Sequence, residues 1–135
     1  MVNLEFLIIT YLIGLSVDWI LQWDWQAVNK SKWDKNDNKL LSGVSLVTHS
    51  LTYAVITGLL VSIIINLDIN QYAIAMIVLF ISHIIIDSRI PVKAIMKFKL
   101  MTDEQINDYT NYGFMHIGID HRLHELVILI LSMFI

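Results

Sequence analysis

His83 and Asp87 stand four residues apart in a run otherwise made of isoleucine, and Asp120, His121 and His124 form a second such group further along the chain. On a helix, residues at i and i+4 share one face about a turn apart, so both side chains can reach the same cation. Neutral imidazole and carboxylate together suit zinc, manganese, iron or nickel. His49 lies inside another apolar run, about 13 Å of helix rise from its start. Asp18 and Gln22 are one turn apart, and Gln26 and Lys30 continue their four-residue spacing. His49, His83, Asp87, Asp120, His121 and His124 are therefore expected to hold a divalent metal, zinc or manganese, with ligands to spare for a second ion. Asp18 or Asp120 is the expected general base, and Lys30 the expected partner of an anionic substrate group. Each residue also has a plainer reading. A lone His on an apolar helix is usually a hydrogen-bonded core residue, and Asp87 and Asp120 have Arg89 and Arg122 close by to pair with.

The elements that must carry these residues are long and apolar. Of 135 residues 56% are hydrophobic and 16% charged, and the mean hydropathy is +0.64; a soluble domain of this size carries roughly 25% charged residues. A helix crosses a hydrocarbon core in about 20 residues. Four stretches meet that need, at about 4–23, 40–65, 72–90 and 117–135. Their length and lack of two-residue alternation exclude a buried sheet. No Lys or Arg precedes the first run and no small-residue cleavage site follows it, which argues against a cleaved signal peptide. The fold expected is all-α: a single integral membrane domain over 1–135, a four-helix transmembrane bundle with a short interfacial helix before the last span. That short helix is announced by Thr102-Asp103-Glu104-Gln105, a capping box, and should carry Ile106, Tyr109 and Tyr112.

Charge sets the orientation. All nine Lys and Arg residues fall in the 29–38 connection, in the 89–116 connection or at the adjoining ends of the spans. The 66–71 hairpin and both ends of the sequence carry none, which predicts a multi-pass protein of the inner membrane with both termini non-cytoplasmic. Trp19, Trp23, Trp25 and Trp33 gather where an aromatic belt would stand at the cytoplasmic face. In that topology Asp18, His49, His83 with Asp87, and Asp120 through His124 all fall in the cytoplasmic thirds of their helices. Each would cost about 2.5–3.5 kcal/mol at mid-membrane if unpaired, so they are expected to face inward and satisfy one another. His116 is expected to be interfacial. The net charge of −3 gives no sign of a nucleic-acid partner, and the absence of Cys excludes thiolate metal sites.

These landmarks resemble a family of small bacterial and phage membrane proteins catalogued only as a domain of unknown function. The matching residues are Asp18-x3-Gln22, Lys30, His49, His83-x3-Asp87 and Asp120-His121-x2-His124. More distantly the chain is similar to bacterial membrane-bound metal-dependent hydrolases. It departs from the usual pattern in having Ser16-Val17 where a His precedes the first Asp, and His116 has no counterpart. The resemblance and the residues together imply a membrane-embedded metal-dependent enzyme, a hydrolase of a lipid or lipid-linked phosphoester at the cytoplasmic leaflet. The lipid bilayer is its setting, a phospholipid headgroup a candidate ligand and a homo-oligomer a candidate assembly. The alternative is a non-enzymatic channel, transporter or interaction protein that uses the same polar cluster as an ion path or packing network.

Overall fold

A computed structural model describes residues 2–30 and 38–135. Helices are the only regular secondary structure among them: α1 (Leu4–Ile20), α2 (Asp24–Lys30), α3 (Lys39–Ile65), α4 (Ile69–Asp87), α5 (Ile90–Phe98), α6 (Asp103–Asn107) and α7 (Tyr109–Leu131). The expected solvated loop with Lys32, Trp33 and Lys35 lies outside the described residues.

Local chemistry sets the helix ends. The Asn3 side chain accepts from Phe6 N at 3.0 Å and starts α1. Asp68 and Gln71 form a reciprocal capping box at the start of α4. Asn38 and Asn66 flank α3 in the left-handed conformation, φ 49° and 54°, which asparagine tolerates better than most residues. The predicted box at Thr102 is present, with Gln105 Oε1 accepting from Thr102 N at 3.0 Å and Thr102 Oγ1 accepting from Gln105 N at 3.3 Å. Asp108 caps α7, and hydrogen bonds from Asn111 hold its carboxyl below the usual carboxylate range.

α1, α3, α4 and α7 pack around one apolar core that includes Phe6, Tyr53, Ala54, Val61, Leu79 and Ile128. Small residues on α3 (Ser45, Ser50, Ala54 and Thr57) are fully buried and let its neighbours approach closely. Large apolar residues such as Ile63, Ile69, Ile81 and Phe134 point outward. With polar groups such as Ser45, Thr57 and His83 buried inside, and large apolar residues on the outer surface as well as in the core, this distribution suits hydrocarbon better than water. Asn3 N donates to Ser132 O at 2.8 Å and Gln71 Nε2 donates to Ile135 O at 3.3 Å. The start of α1, the α3–α4 hairpin and the end of α7 therefore share one end of the bundle, and Lys30, Lys39 and Arg89 stand at the other.

Four features of the helices refine or differ from the expectation. First, two of the four expected spans, α3 and α4, are helices long and apolar enough to cross a membrane by themselves. α1 has 17 residues, and α7 carries Asp120, Arg122 and Glu125 along its middle; α1 and α2 qualify together only as a span bent by 91°. Second, the Asp18–Gln22–Gln26–Lys30 stripe does not lie on one helix. The chain breaks after Ile20, and Gln26 Oε1 accepts from Trp23 N at 3.1 Å to begin α2 in a new direction. Third, the 89–116 connection contains α5, which the sequence reading lacked. Pro91 fits its first turn, and Val92 and Met96, four residues apart, are both fully buried. Fourth, α7 begins at Tyr109 rather than near Ile117, so Tyr109 and Tyr112 belong to it and α6 retains Ile106. His116, expected at the interface, is buried, with its Nε2 2.9 Å from Ile106 O and its ring stacked on Tyr109.

Candidate metal centre

Four helices deliver side chains to one point. Asp18 comes from the last turn of α1, His49 from α3, His83 and Asp87 from successive turns of α4, and His124 from α7. α2 brings Lys30 to them because it is tied flat against α3. Ser42 Oγ donates to Asn29 O at 2.8 Å, Ser45 Oγ to Gln26 O at 3.1 Å, and Gln26 Nε2 to Thr48 Oγ1 at 3.3 Å. The bend that breaks the α1 stripe is thus what turns Lys30 inward.

The donor atoms are crowded. His49 Nε2 lies 3.0 Å from His83 Nε2 and 3.0 Å from Asp18 Oδ1, and His83 Nε2 lies 3.7 Å from Asp18 Oδ1. Asp87 Oδ2 is 3.4 Å from the Nε2 atom of each of those imidazoles, and Asp87 Oδ1 is 3.5 Å from His124 Nε2. Nitrogen and oxygen donors about 2.0–2.1 Å from a tetrahedral zinc stand roughly 3.3 Å apart, close to these spacings. Two sets of three, Asp18–His49–His83 and His83–Asp87–His124, could each hold a metal ion, and His83 belongs to both.

Hydrogen bonding leaves much of this cluster unsatisfied. Asp18 Oδ1, Asp87 Oδ1, His83 Nδ1 and His124 Nε2 are buried without a hydrogen-bond partner. Asp18 Oδ1 is the informative case, since its nearest partner, His49 Nε2 at 3.0 Å, also contacts His83 Nε2 and Lys30 Nζ, and one ring nitrogen cannot serve all three. A buried polar atom left in this way costs about 1–3 kcal/mol, more when charged. One cation would satisfy several of these atoms at once. The cation already present is Lys30, whose Nζ donates to Asp87 Oδ2 at 2.7 Å and lies 3.1 Å from His49 Nε2. Gln22 Nε2 adds a contact to His49 Nε2 at 3.4 Å.

The remaining expected site residues stand apart. Asp120 faces Arg89 at 3.5 Å, which replaces the sequence pairings of Arg89 with Asp87 and of Arg122 with Asp120; Arg122 pairs with Glu125. Asp120 and His121 belong to neither metal set. The His121 ring meets Trp19 edge-on at 6.0 Å, and the residue lines the cavities beside the cluster. Tyr53, which the sequence reading passed over, stacks on His83 with ring centroids 4.0 Å apart. It fits because Gly14 on α1 has no side chain: a Cβ there would lie 2.5 Å from the Tyr53 hydroxyl.

A cavity of about 250 Å³ adjoins the cluster, lined by Asp18, Gln22, Lys30, Arg89, Asp120 and His121 among others. Asp18 is the member of the metal sets that reaches it. Comparison of the chain with protein-family models, with curated proteins and with solved structures finds no match.

Proposed function

We propose that this protein is a membrane-embedded, metal-dependent hydrolase of a lipid or lipid-linked phosphoester, working at the cytoplasmic leaflet. The observation that carries the reading is the convergence of two His/Asp sets on His83 with buried donor atoms left unpaired. In this reading α1, α3, α4 and α7 all span the bilayer, α6 lies at its surface, and both termini face away from the cytoplasm. The segregation of Lys30, Lys39 and Arg89 from the end that holds Asn3, Asp68 and Ser132 supports that topology.

His83, Asp87 and His124 would hold zinc or manganese, because that set leaves Asp18, the metal-set carboxylate that lines the cavity, free to act as a base. When bound, the ion would bring the pKa of a coordinated water toward about 7. Asp18 would take a proton from the attacking water, whose oxygen bonds to phosphorus as the ester P–O bond breaks. It would return that proton to the leaving oxygen, so the elements of water are added across the bond. Lys30, which lines the same cavity, would neutralise the phosphate oxygens. A second reading draws on the short Lys30–Asp87 pair itself: Lys30 is then the permanent counter-ion of a structural network in a non-enzymatic channel, transporter or interaction protein.

Metal analysis of detergent-purified wild type and His83→Ala separates the two readings. The hydrolase reading expects metal in the wild type and its loss in the variant. A wild type that neither carries nor takes up zinc or manganese would overturn it.

A further inference from the structure

We infer that the seam between α1 and α7 is a lateral entrance for a lipid phosphoester, its chain in an outer apolar groove and its phosphate between Lys30 and Arg89. The inference rests on the hydrolase reading and assigns the parts of its substrate to parts of the protein. Three spaces follow one another along the seam. The outermost is an open, mainly apolar groove of about 460 Å³ whose walls include Leu7, Ile8, Leu12 and Leu129, with the paired Arg122 and Glu125 also lining it. A narrow throat of about 30 Å³ shares Tyr11, Glu125 and Ile128 with that groove and reaches Asp18 and His124. The polar cavity of about 250 Å³ shares Asp18 and His121 with the throat and ends at Lys30 and Arg89.

The sequence of surfaces matches an amphiphile. Between Leu7 in the groove and Asp18 at the polar cavity α1 rises about 16 Å, close to half of a hydrocarbon core about 30 Å thick, so the three spaces together extend about as far as one leaflet. At the polar end Arg89 is held in the left-handed conformation, φ 66°, at the junction of α4 and α5. Its Nη1 lies 3.5 Å from Asp120 Oδ1, an ion pair without a well-formed hydrogen bond, and Nε is buried with no hydrogen-bond partner. A guanidinium so loosely engaged, on a residue that lines a cavity also reached by an ammonium, is suited to phosphate oxygens. A soluble phosphoester would need only the polar cavity; an apolar groove along the same seam, linked to it through residues of the small intervening space, suits a ligand with a tail.

The test uses full-length protein in phospholipid vesicles doped with phosphatidic acid that carries a photoreactive diazirine in its acyl chain. Diacylglycerol bearing the same diazirine is the control, and labelled residues are mapped by mass spectrometry. Phosphatidic acid should label the groove faces of α1 and α7 in preference to the outer faces of α3 and α4, and more strongly than diacylglycerol does. Arg89→Gln should lower that labelling about tenfold, the order of one lost charge-assisted contact, and leave diacylglycerol labelling and metal content unchanged. Ile8→Trp, which fills the groove without touching the polar cavity, should lower labelling at the seam by both probes. Equal labelling of all outward faces by both probes would mean surrounding bilayer lipid only and would overturn the inference. So would displacement of phosphatidic acid by equimolar inorganic phosphate, the mark of a site for free phosphate. Metal measured in the same samples keeps the two readings apart: seam labelling without metal sinks the hydrolase alone, and metal with uniform labelling sinks the entrance alone.

Discussion

His49 and His83 bring their Nε2 atoms to 3.0 Å of each other from different helices, α3 and α4, with Asp87 Oδ2 at 3.4 Å from both. Two imidazoles at this distance can share one hydrogen bond only if one of them donates and the other accepts, and the carboxylates beside them still leave oxygen atoms unpaired. The arrangement is better matched by a cation among the donors than by hydrogen bonds alone.

Lys30→Met tests what the lysine does. Removing it leaves Asp87 as an uncompensated buried charge, a change worth about 3–5 kcal/mol where no other cation is present. Metal-free Lys30→Met should therefore melt well below metal-free wild type in detergent, and zinc should restore most of the difference. Thermal denaturation with and without zinc reads both effects, and a variant that zinc fails to rescue would favour the structural network.

Gly14→Ala adds a methyl where the Tyr53 hydroxyl already stands, at 2.5 Å. A tyrosine ring stacked on His83 cannot swing aside freely, so the overpacking should cost about 1–3 kcal/mol. It should also weaken zinc affinity by tilting the His83 ring. A melting curve and a zinc titration that both match wild type would refute this coupling of α1 to the cluster through Tyr53.

His116→Phe provides a contrast. His116 is buried against Ile106 O beside the second apolar cluster of Val92, Met96 and Ile106. Losing its hydrogen bond should destabilise the α5–α6–α7 packing by about 1–3 kcal/mol and leave metal content unchanged. Loss of metal in this variant would tie His116 to the centre, against its position.

Topology is open to reporter fusions. Fusions after Asp68 and after Ile135 should report the non-cytoplasmic side, and one at Leu100, between α5 and α6, the cytoplasmic side. Opposite results at either set would exclude the four-span arrangement.

Much of the centre was legible in the sequence because helix periodicity and membrane energetics act on residue type and spacing alone. The i, i+4 pair His83–Asp87 needed only a helix, and the cost of isolated polar groups in lipid drew His49, Asp18 and His124 inward with it. Asp120 and His121 were not resolved from His124, because the three lie within about one helical turn of one another, and nothing in the sequence says that His124 reaches Asp87 while Asp120 turns to Arg89 and His121 to Trp19. The bend at Leu21–Trp23 was hidden for a related reason. An unbroken four-residue spacing through Gln26 and Lys30 looks helical, whereas the Gln26 side chain caps a new helix. Tyr53 and Gly14 meet across α3 and α1, a contact that no local pattern records.

The central claim is that His83 belongs to a metal centre, and elemental analysis of detergent-purified protein, prepared without chelators, tests it most directly. Wild type should carry about one zinc or manganese per chain, and His83→Ala less than about a tenth of that, since binding needs the ligand set complete. The two proteins should insert into the membrane in equal amounts. A wild type that is metal-free and takes up neither ion, together with a functionally silent His83→Ala, would contradict the account.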